Sequence, residues 1–388
     1  MSSNVCSPKG SGWIRERAEA LFETIREESA TSERLGRLTD KVVDALLRAG
    51  LFSILLPESA GGLAGTRLDF FEAAEALGRA DGSAGWCASL SNLANFAAFR
   101  GLGATGRSDV FTDDFVSARN SLRPNAAWRA VAGGFRVSGK WAWGTGSSFA
   151  QWVIVASVSK DAEGHNIYRA YLIPREDVAL IEGTWDTLGL RATQSVDYAI
   201  ADTFVPAQRT YEYQSEGLAA TGPLSAMEML WLNQIGLTGF ASGVGQSVLA
   251  EFVAEAPKTK REGFEGFQSE NRIVQSGVAE LGGRLRAAAA HYRELLARQD
   301  AVVMRGEPVG PELRSELSLG AQTIARAAKD IAAFAFEHAG ASVVYASSPI
   351  QRGVRDLMTG LKHAAFSPAS LERIGRVRLG LSPLPHPF

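Results

Sequence analysis

The chain has 388 residues, 46% hydrophobic and 21% charged, with a formal net charge of −2. That balance describes a globular protein of two or three domains, and it excludes a disordered chain and a basic field for nucleic acid or anionic membrane. The only two cysteines, Cys6 and Cys87, form no metal or redox spacing and read as thiols of a reduced, cytoplasmic protein. The opening residues, MSSNVCSPKGSG, are small and polar, without the apolar run of a signal peptide.

In chain order, Ile14, Ala18, Leu21 and Ile25 recur at helical spacing and predict a first amphipathic helix. Thr39-Asp40 caps a second over 41–48, which Gly50 ends. A third helix is expected over 68–79. A fourth, over 83–100, carries Trp86, Leu90, Leu93 and Phe96 and is apolar nearly all round, hence buried. Strand patterns dominate 115–211, at 135–137, 152–158, 168–173 and 196–205, with turn-rich pieces between them. That spacing predicts a small antiparallel β-domain. Long Ala-rich helices follow over 226–255, 269–304 and 311–338, with Gly340 as a cap, and Pro349 opens a fourth that runs to about residue 366. The apolar run 226–253 is interrupted by Glu228, Asn233, Gln234, Gln246 and Glu251, so it reads as a helix buried among helices rather than a membrane span. Its small face of Gly236, Gly239, Gly243 and Gly245 allows close helix approach.

The densest stretch is 133–158, GGFRVSGKWAWGTGSSFAQWVIVASV. Trp141 and Trp143 stand two apart, so an extended chain points both indoles to one side. Gly144-Thr145-Gly146-Ser147-Ser148 lets the backbone approach a partner closely and offers three hydroxyls. Spacing alone fits two readings: aromatic planes beside a flat, polar-edged ligand such as a flavin, or a β-domain core with a hairpin turn. Gly243-Val244-Gly245 lacks the third glycine and the preceding strand of a dinucleotide fingerprint. The five histidines are scattered, and neither a nucleophile elbow nor a phosphate-loop lysine is present, so hydrolase and metalloenzyme chemistry find no support.

The order GLF-ILLPE–GG, an acidic helix and then RADGSAGW resembles the N-terminal domain of the acyl-CoA dehydrogenase superfamily, and the resemblance continues along the chain. It implies an α+β fold: an N-terminal α-helical domain over 1–114, a central antiparallel β-sandwich or barrel over 115–215, and a C-terminal four-helix bundle over 216–388. It also implies a homotetramer, a dimer of dimers built around the bundles. True dehydrogenases carry a glutamate base, often in an IYEGT segment. Here the corresponding residues are Leu361-Lys362-His363-Ala364-Ala365-Phe366, with no glutamate. A histidine in KHA context is similar instead to the two-component (group D) flavin-dependent monooxygenases.

Within that branch, 138–146 resembles SGxWxFxSG, with Trp143 for Phe and Thr145 for Ser. The match puts the Thr145 hydroxyl at flavin N5, with Trp143, Gly146 and Ser147 beside the ring. Residues 185–195 resemble W–LGLRGTGS, a loop along the isoalloxazine that brings Thr193 and Ser195 to the cofactor; the bland alternative is a polar loop opening the next strand. Asn120-Ser121 matches a strand end at the flavin edge. Arg261 with Phe264 matches an R–x–x–F that reaches the flavin's adenosine or phosphate end across a subunit interface, or else it is a solvated loop arginine. Asn95, Phe96 and Trp141 would line the substrate. Relatives that hydroxylate phenols carry a histidine where this chain has Ala94, which favours an indole, another electron-rich ring or an amine.

The resemblance therefore implies a hydroxylase of an electron-rich, indole-like or polycyclic aromatic in specialised metabolism. It would use FADH2 or FMNH2 from a separate flavin reductase, and O2, through a flavin C4a-hydroperoxide. His363 would bond the peroxide or act as general acid, and a dry pocket would limit peroxide loss. An N-oxygenase of an amine or amino sugar, an acyl-CoA dehydrogenase and a non-catalytic helical scaffold are the alternatives.

Overall fold

The computed structural model describes residues 12–111, 117–119, 125–160, 163–164, 166–213, 226–260 and 265–381. It has the expected order: helices, then two sheets, then helices. The first predicted helix is two, α1 (Trp13–Glu19) and α2 (Phe22–Leu35). Between them Leu21 N donates to Ala18 O, three residues back instead of four, which tightens the turn and ends the α-helical ladder. In α3 (Asp40–Arg48) the Thr39 hydroxyl accepts the Val42 N–H at 3.4 Å, the N-cap the sequence predicts. Helix α4 (Arg67–Ala80) starts on a Thr66/Asp69 capping box, and α5 (Gly82–Gly101) starts on Asp81, which accepts from Ala84 N at 2.9 Å. A short α6 (Ala104–Val110) precedes the strands.

Eight strands make two four-stranded sheets among the described residues. One runs β1 (Ser117–Arg119), β4 (Trp152–Lys160), β5 (Asn166–Pro174), β8 (Thr210–Tyr213). The other runs β2 (Ala127–Val131), β3 (Gly134–Trp141), β7 (Asp197–Pro206), β6 (Ala179–Ile181). All pairings are antiparallel except β1 with β4, which is parallel. Alternate residues, Val153 with Val155 and Tyr171 with Ile173, point into a small core with Val137, Trp141, Tyr198, Ile200 and Val205. The short strands β1, β2, β6 and β8 carry too little period-2 pattern to be legible in the sequence.

The C-terminal helices are α7 (Ala226–Glu255), α8 (Arg272–Met304), α9 (Pro311–His338), α10 (Pro349–Gly360) and an unanticipated α11 (Ala369–Arg378). Gly340 is not the left-handed cap of α9; it is extended (φ −65°, ψ 165°) and leads into the next turn. Helix α7 is the spine of the molecule. Its glycines recur at i, i+3 and i+7, and three of them abut α4. A Cβ on Gly236, Gly239 or Gly243 would sit 2.5 Å from Phe70, 2.5 Å from the Phe71 carbonyl oxygen and 2.1 Å from the Glu75 carbonyl oxygen. Gly245 faces α9 instead, where a Cβ would lie 2.8 Å from that of Ala328. A buried polar clamp locks the approach: Glu75 accepts from Ser242 (2.6 Å) and Gln246 (2.9 Å) and pairs with Arg293 of α8.

Backbone cannot step aside as a flexible side chain can. Gly243→Ala should therefore cost about 1–3 kcal/mol by overpacking. Gly283→Ala, in α8, meets nothing within 4 Å and should be neutral or stabilising by about 0.5–1 kcal/mol. Urea midpoints of the two variants check the contrast.

Candidate active site

Strand β3 ends at Trp141, and the chain then makes the Gly144–Ser148 turn against the segment entering β7. Gly144 N donates to Val196 O (2.9 Å) and Gly146 N to Thr193 O (3.1 Å), so two stretches some fifty residues apart lie side by side. Their hydroxyls form a buried chain. Thr145 Oγ1 lies 2.6 Å from Ser195 Oγ, and Ser195 Oγ lies 2.7 Å from Thr193 Oγ1. Thr193 Oγ1 in turn donates to the Leu190 carbonyl at 2.8 Å. Thr145, Thr193 and Ser195 are 5%, 1% and 2% exposed. Each hydroxyl has one proton, and a carbonyl can only accept. Thr193 spends its proton on Leu190, so Ser195 donates to Thr193 and Thr145 donates to Ser195. The direction is forced. Thr145 Oγ1 is left with its lone pairs alone, an acceptor at the head of the chain. Ser147, fully buried, does not join it; its hydroxyl turns back to the Gly144 carbonyl.

Backbone strain gathers at the same place. Among the described residues five non-glycines have positive φ, and three of them, Trp143 (68°), Leu190 (55°) and Gln194 (43°), flank this chain. Each such conformation costs on the order of 1–3 kcal/mol and persists only where surrounding structure enforces it. Gln194 also holds a buried Oε1 with no hydrogen-bond partner. It stands where the LGLRGTGS pattern has glycine, which was the sequence signal for it.

The loop bearing Thr193 and Ser195 is fastened to α10. Asp356 Oδ1 accepts the Leu190 N–H at 2.6 Å, Arg355 donates to the Leu188 carbonyl at 2.8 Å, and Trp185 Nε1 donates to the Leu190 carbonyl at 2.9 Å. Gly189 permits the contact, since a Cβ there would sit 2.2 Å from the Arg355 carbonyl carbon. Arg352 and Arg355 are in turn held by Glu33. Asp356 is fully enclosed beside the buried Asp81. Burial, and then the neighbouring Asp81 charge, push its carboxyl up to about 8, and burial raises Asp81 as well. Of these, Glu33, Asp81, Arg352, Arg355 and Asp356 were assigned no role from the sequence.

His363 is not on a helix as expected, because α10 stops at Gly360. It precedes the short turn Ala364–Phe366 and accepts the Ala365 N–H at Nδ1 (3.1 Å). Its ring meets the Trp86 indole edge-on at 5.9 Å, and Nε2 lies 3.4 Å from Asn233 Nδ2 of α7. Burial lowers its pKa from 6.5 to about 4, so the imidazole is neutral at pH 7.

Other expected positions fare differently. Trp141 and Trp143 do not project to one side. Trp141, expected against substrate, packs in the sandwich core, 2% exposed and stacked 5.7 Å from Tyr198. Trp143 has left the strand and is 49% exposed. Asn95, also expected near substrate, is fully buried; it donates to the Phe52 carbonyl at 2.9 Å and, with Asn92, satisfies the backbone of the 51–54 loop. Phe96 is partly buried with Arg100 over its ring, and Ala94 is core. Asn120, Ser121, Arg261 and Phe264 lie outside the described residues. A separate cavity of ≈ 210 Å³, lined by Phe252, Thr259, Gln268, His338, Ser342 and Ile350 among others, opens at the N-terminal end of α10, a helix length of about 18 Å from the end that leads to His363.

Family models place this architecture. The acyl-CoA dehydrogenase N-terminal domain matches residues 13–103, and the acyl-CoA dehydrogenase C-terminal domain matches 235–368. The flavin-dependent monooxygenase oxygenase subunit HsaA of Rhodococcus jostii is 30% identical over 366 residues, covering 91% of this chain and 94% of that protein. The chain belongs to the acyl-CoA dehydrogenase superfamily, in its flavin-dependent monooxygenase branch. A second relative, the indole-3-acetate monooxygenase of Pseudomonas putida, is 28% identical over 369 residues, covering 95% of this chain and 94% of that one. The fold is shared with XiaF from a Streptomyces species, solved in complex with FADH2 and glycerol, at a TM-score of 0.85 and 23% identity over 96% of both chains. No described helix of this family member is long and apolar enough to cross a membrane.

The Asp356 carboxyl has a folded value of about 8 against an ordinary 3.8, so the native state binds the extra proton. Its contribution is fully present below about pH 4 and is lost as pH rises through about 8, at up to about 1.4 kcal/mol per pH unit. Asp356→Asn keeps the acceptor for Leu190 N–H and should flatten the fall. Urea midpoints at about pH 5 and pH 8 should drop more in the wild type than in the variant.

Proposed function

We propose that this protein is the oxygenase component of a two-component flavin-dependent monooxygenase that hydroxylates an electron-rich aromatic, indole-like in character. It takes FADH2 or FMNH2 from a separate reductase, and O2. The observation that carries this reading is the directed hydroxyl chain, whose head, Thr145 Oγ1, is a buried acceptor without a donor of its own. Reduced flavin carries N–H at N5, the donor that this oxygen lacks. The Gly144–Gly146 turn and the partnerless Gln194 Oε1 beside it are consistent with a close-lying heterocycle. The relative HsaA, named a flavin-dependent monooxygenase, supports the same cofactor, and the indole-3-acetate monooxygenase together with Ala94 supports the substrate class.

Bound beside this turn, reduced flavin would supply the activation of O2, one oxygen atom going to a nucleophilic ring carbon of the substrate and the other leaving as water. Thr145 holds the N5 proton, and Ser195 and Thr193 fix the direction of that hydrogen bond. Loss of that proton would expel hydrogen peroxide instead. His363, neutral, hydrogen-bonds the reacting oxygen through Nε2–H, the role its lowered pKa supports over that of a protonated acid. Arg261 and Phe264 are proposed, from the R–x–x–F match alone, for the flavin's adenosine or phosphate end. Exposed Ile273, Val344 and Tyr345, each 64–67% accessible on that side of the bundle, support a homo-oligomer.

Thr145→Ala should raise hydrogen peroxide released per flavin oxidised by roughly five- to tenfold, the value of one buried hydrogen bond. Ser195→Ala should also leak, because the Thr145 proton would then turn toward N5. Unchanged coupling in both counts against the assignment. In His363→Ala, product should be lost while flavin oxidation continues. The reading as a whole is tested by mixing the protein with reduced FMN or FAD and then oxygen: a slowly decaying C4a adduct is expected, and oxidation at the free-flavin rate would refute it.

A further inference from the structure

His363 and Asn233 meet in an arrangement that fails as drawn and has one simple repair. Nδ1 of His363 accepts the Ala365 N–H at 3.1 Å, so that nitrogen keeps its lone pair and carries no proton. A neutral imidazole must then carry its proton on Nε2. The atom facing Nε2, at 3.4 Å, is Asn233 Nδ2, which is also a donor. Two donors face each other, while Asn233 Oδ1, the acceptor on the same carboxamide, is buried without a partner. Turning the carboxamide by a half-turn gives Nε2–H an acceptor and the buried oxygen a donor at once, and each unmet buried group otherwise costs about 1–3 kcal/mol.

We propose that Asn233 is a positioning residue for His363: its side-chain oxygen accepts the Nε2–H, holds the ring as the Nε2–H tautomer, and releases that N–H to a ligand oxygen when the site fills. The Ala365 amide fixes one ring nitrogen and Asn233 the other, while the Trp86 edge limits tilt. The contacts on the ring come from α5, α7 and the 364–366 turn, and they are all uncharged. At 3.4 Å the Asn233 bond is long, so a closer acceptor displaces it without much loss. Asn233 lies on α7, the helix that α4 meets closely at Gly236, Gly239 and Gly243, so the acceptor sits on a closely packed element. The hand-over to a ligand rests on the monooxygenase reading; the tautomer and its cause do not.

The test is ¹⁵N spectroscopy of the full-length protein labelled at histidine, without flavin, with the His363 signal identified by its loss in His363→Gln. Wild type should show a neutral Nε2–H imidazole at pH 7. Asn233→Asp, nearly the same shape, should raise the His363 pKa by a unit or more, because a carboxylate now faces Nε2. Asn233→Leu should shift or broaden the signal as the second anchor is lost. An Nδ1–H tautomer in the wild type, or a His363 pKa unmoved in Asn233→Asp, overturns the proposal. Product per flavin oxidised is read on the same variants. A tautomer that responds while coupling does not would support the Asn233 bond and overturn the place of His363 in oxygen transfer. Coupling that acquires a new acid limb in Asn233→Asp, at the raised pKa, supports both.

Discussion

The contact on which the rest of the site depends is the one between the Leu188–Ser195 loop and α10. Gly189 lies flat on the Arg355 carbonyl, and Asp356 takes the Leu190 N–H at 2.6 Å. With the loop held there, the Leu190 carbonyl, which also accepts the Trp185 indole N–H, ends the hydroxyl chain, and the chain's direction follows from that fixed acceptor. The same helix leads three residues past its end to His363, so one clamp sets both the β-domain and the bundle contributions. Its chemistry is unusual: a carboxyl kept largely protonated by burial and by Asp81, in a neighbourhood where Glu33, Arg352 and Arg355 carry the full charges.

Both proposed halves of the reaction centre are uncharged at neutral pH. Thr145 is a hydroxyl whose polarity is imposed by two others, and His363 is an imidazole whose tautomer is imposed by the Ala365 amide. A charged group would cost more to bury and would draw in water. Neutral groups oriented by fixed neighbours give direction without that penalty, which suits chemistry that fails when water reaches it. The strained backbone at Trp143, Leu190 and Gln194 is part of the same arrangement: the packing behind it has to be rigid enough to hold three unfavourable conformations.

Behind α10 stands α7, against which Gly353 and Gly360 of α10 lie closely. The glycine face of α7 lets α4 approach to backbone contact, and Glu75, Arg293, Ser242 and Gln246 tie the crossing with hydrogen bonds. Helices that meet through backbone have little room to slide. The N-terminal helices, with Trp86 among them, are thereby fixed against the helix that carries Asn233.

The amino-acid sequence by itself determined the order of helical, β and helical segments, the long bundle helices and the glycine face of α7, because these rest on periodicities and small-residue spacing that are local in the chain. It also marked Thr145, Thr193, Ser195 and His363 as candidates. Only the tertiary structure decided where those residues lie and which atoms they bond. Trp141 went to the sandwich core because β3 pairs with β7 and turns that ring toward Tyr198. Asn95 went to the Phe52 carbonyl because a buried loop needs its backbone bonded. Asp356, Gln194 and Asn233 stayed unassigned because their meaning lies in partners more than a hundred residues distant, or in a backbone angle. The direction of a hydrogen-bond chain is likewise no property of spacing; it depends on which acceptor the fold places at its end.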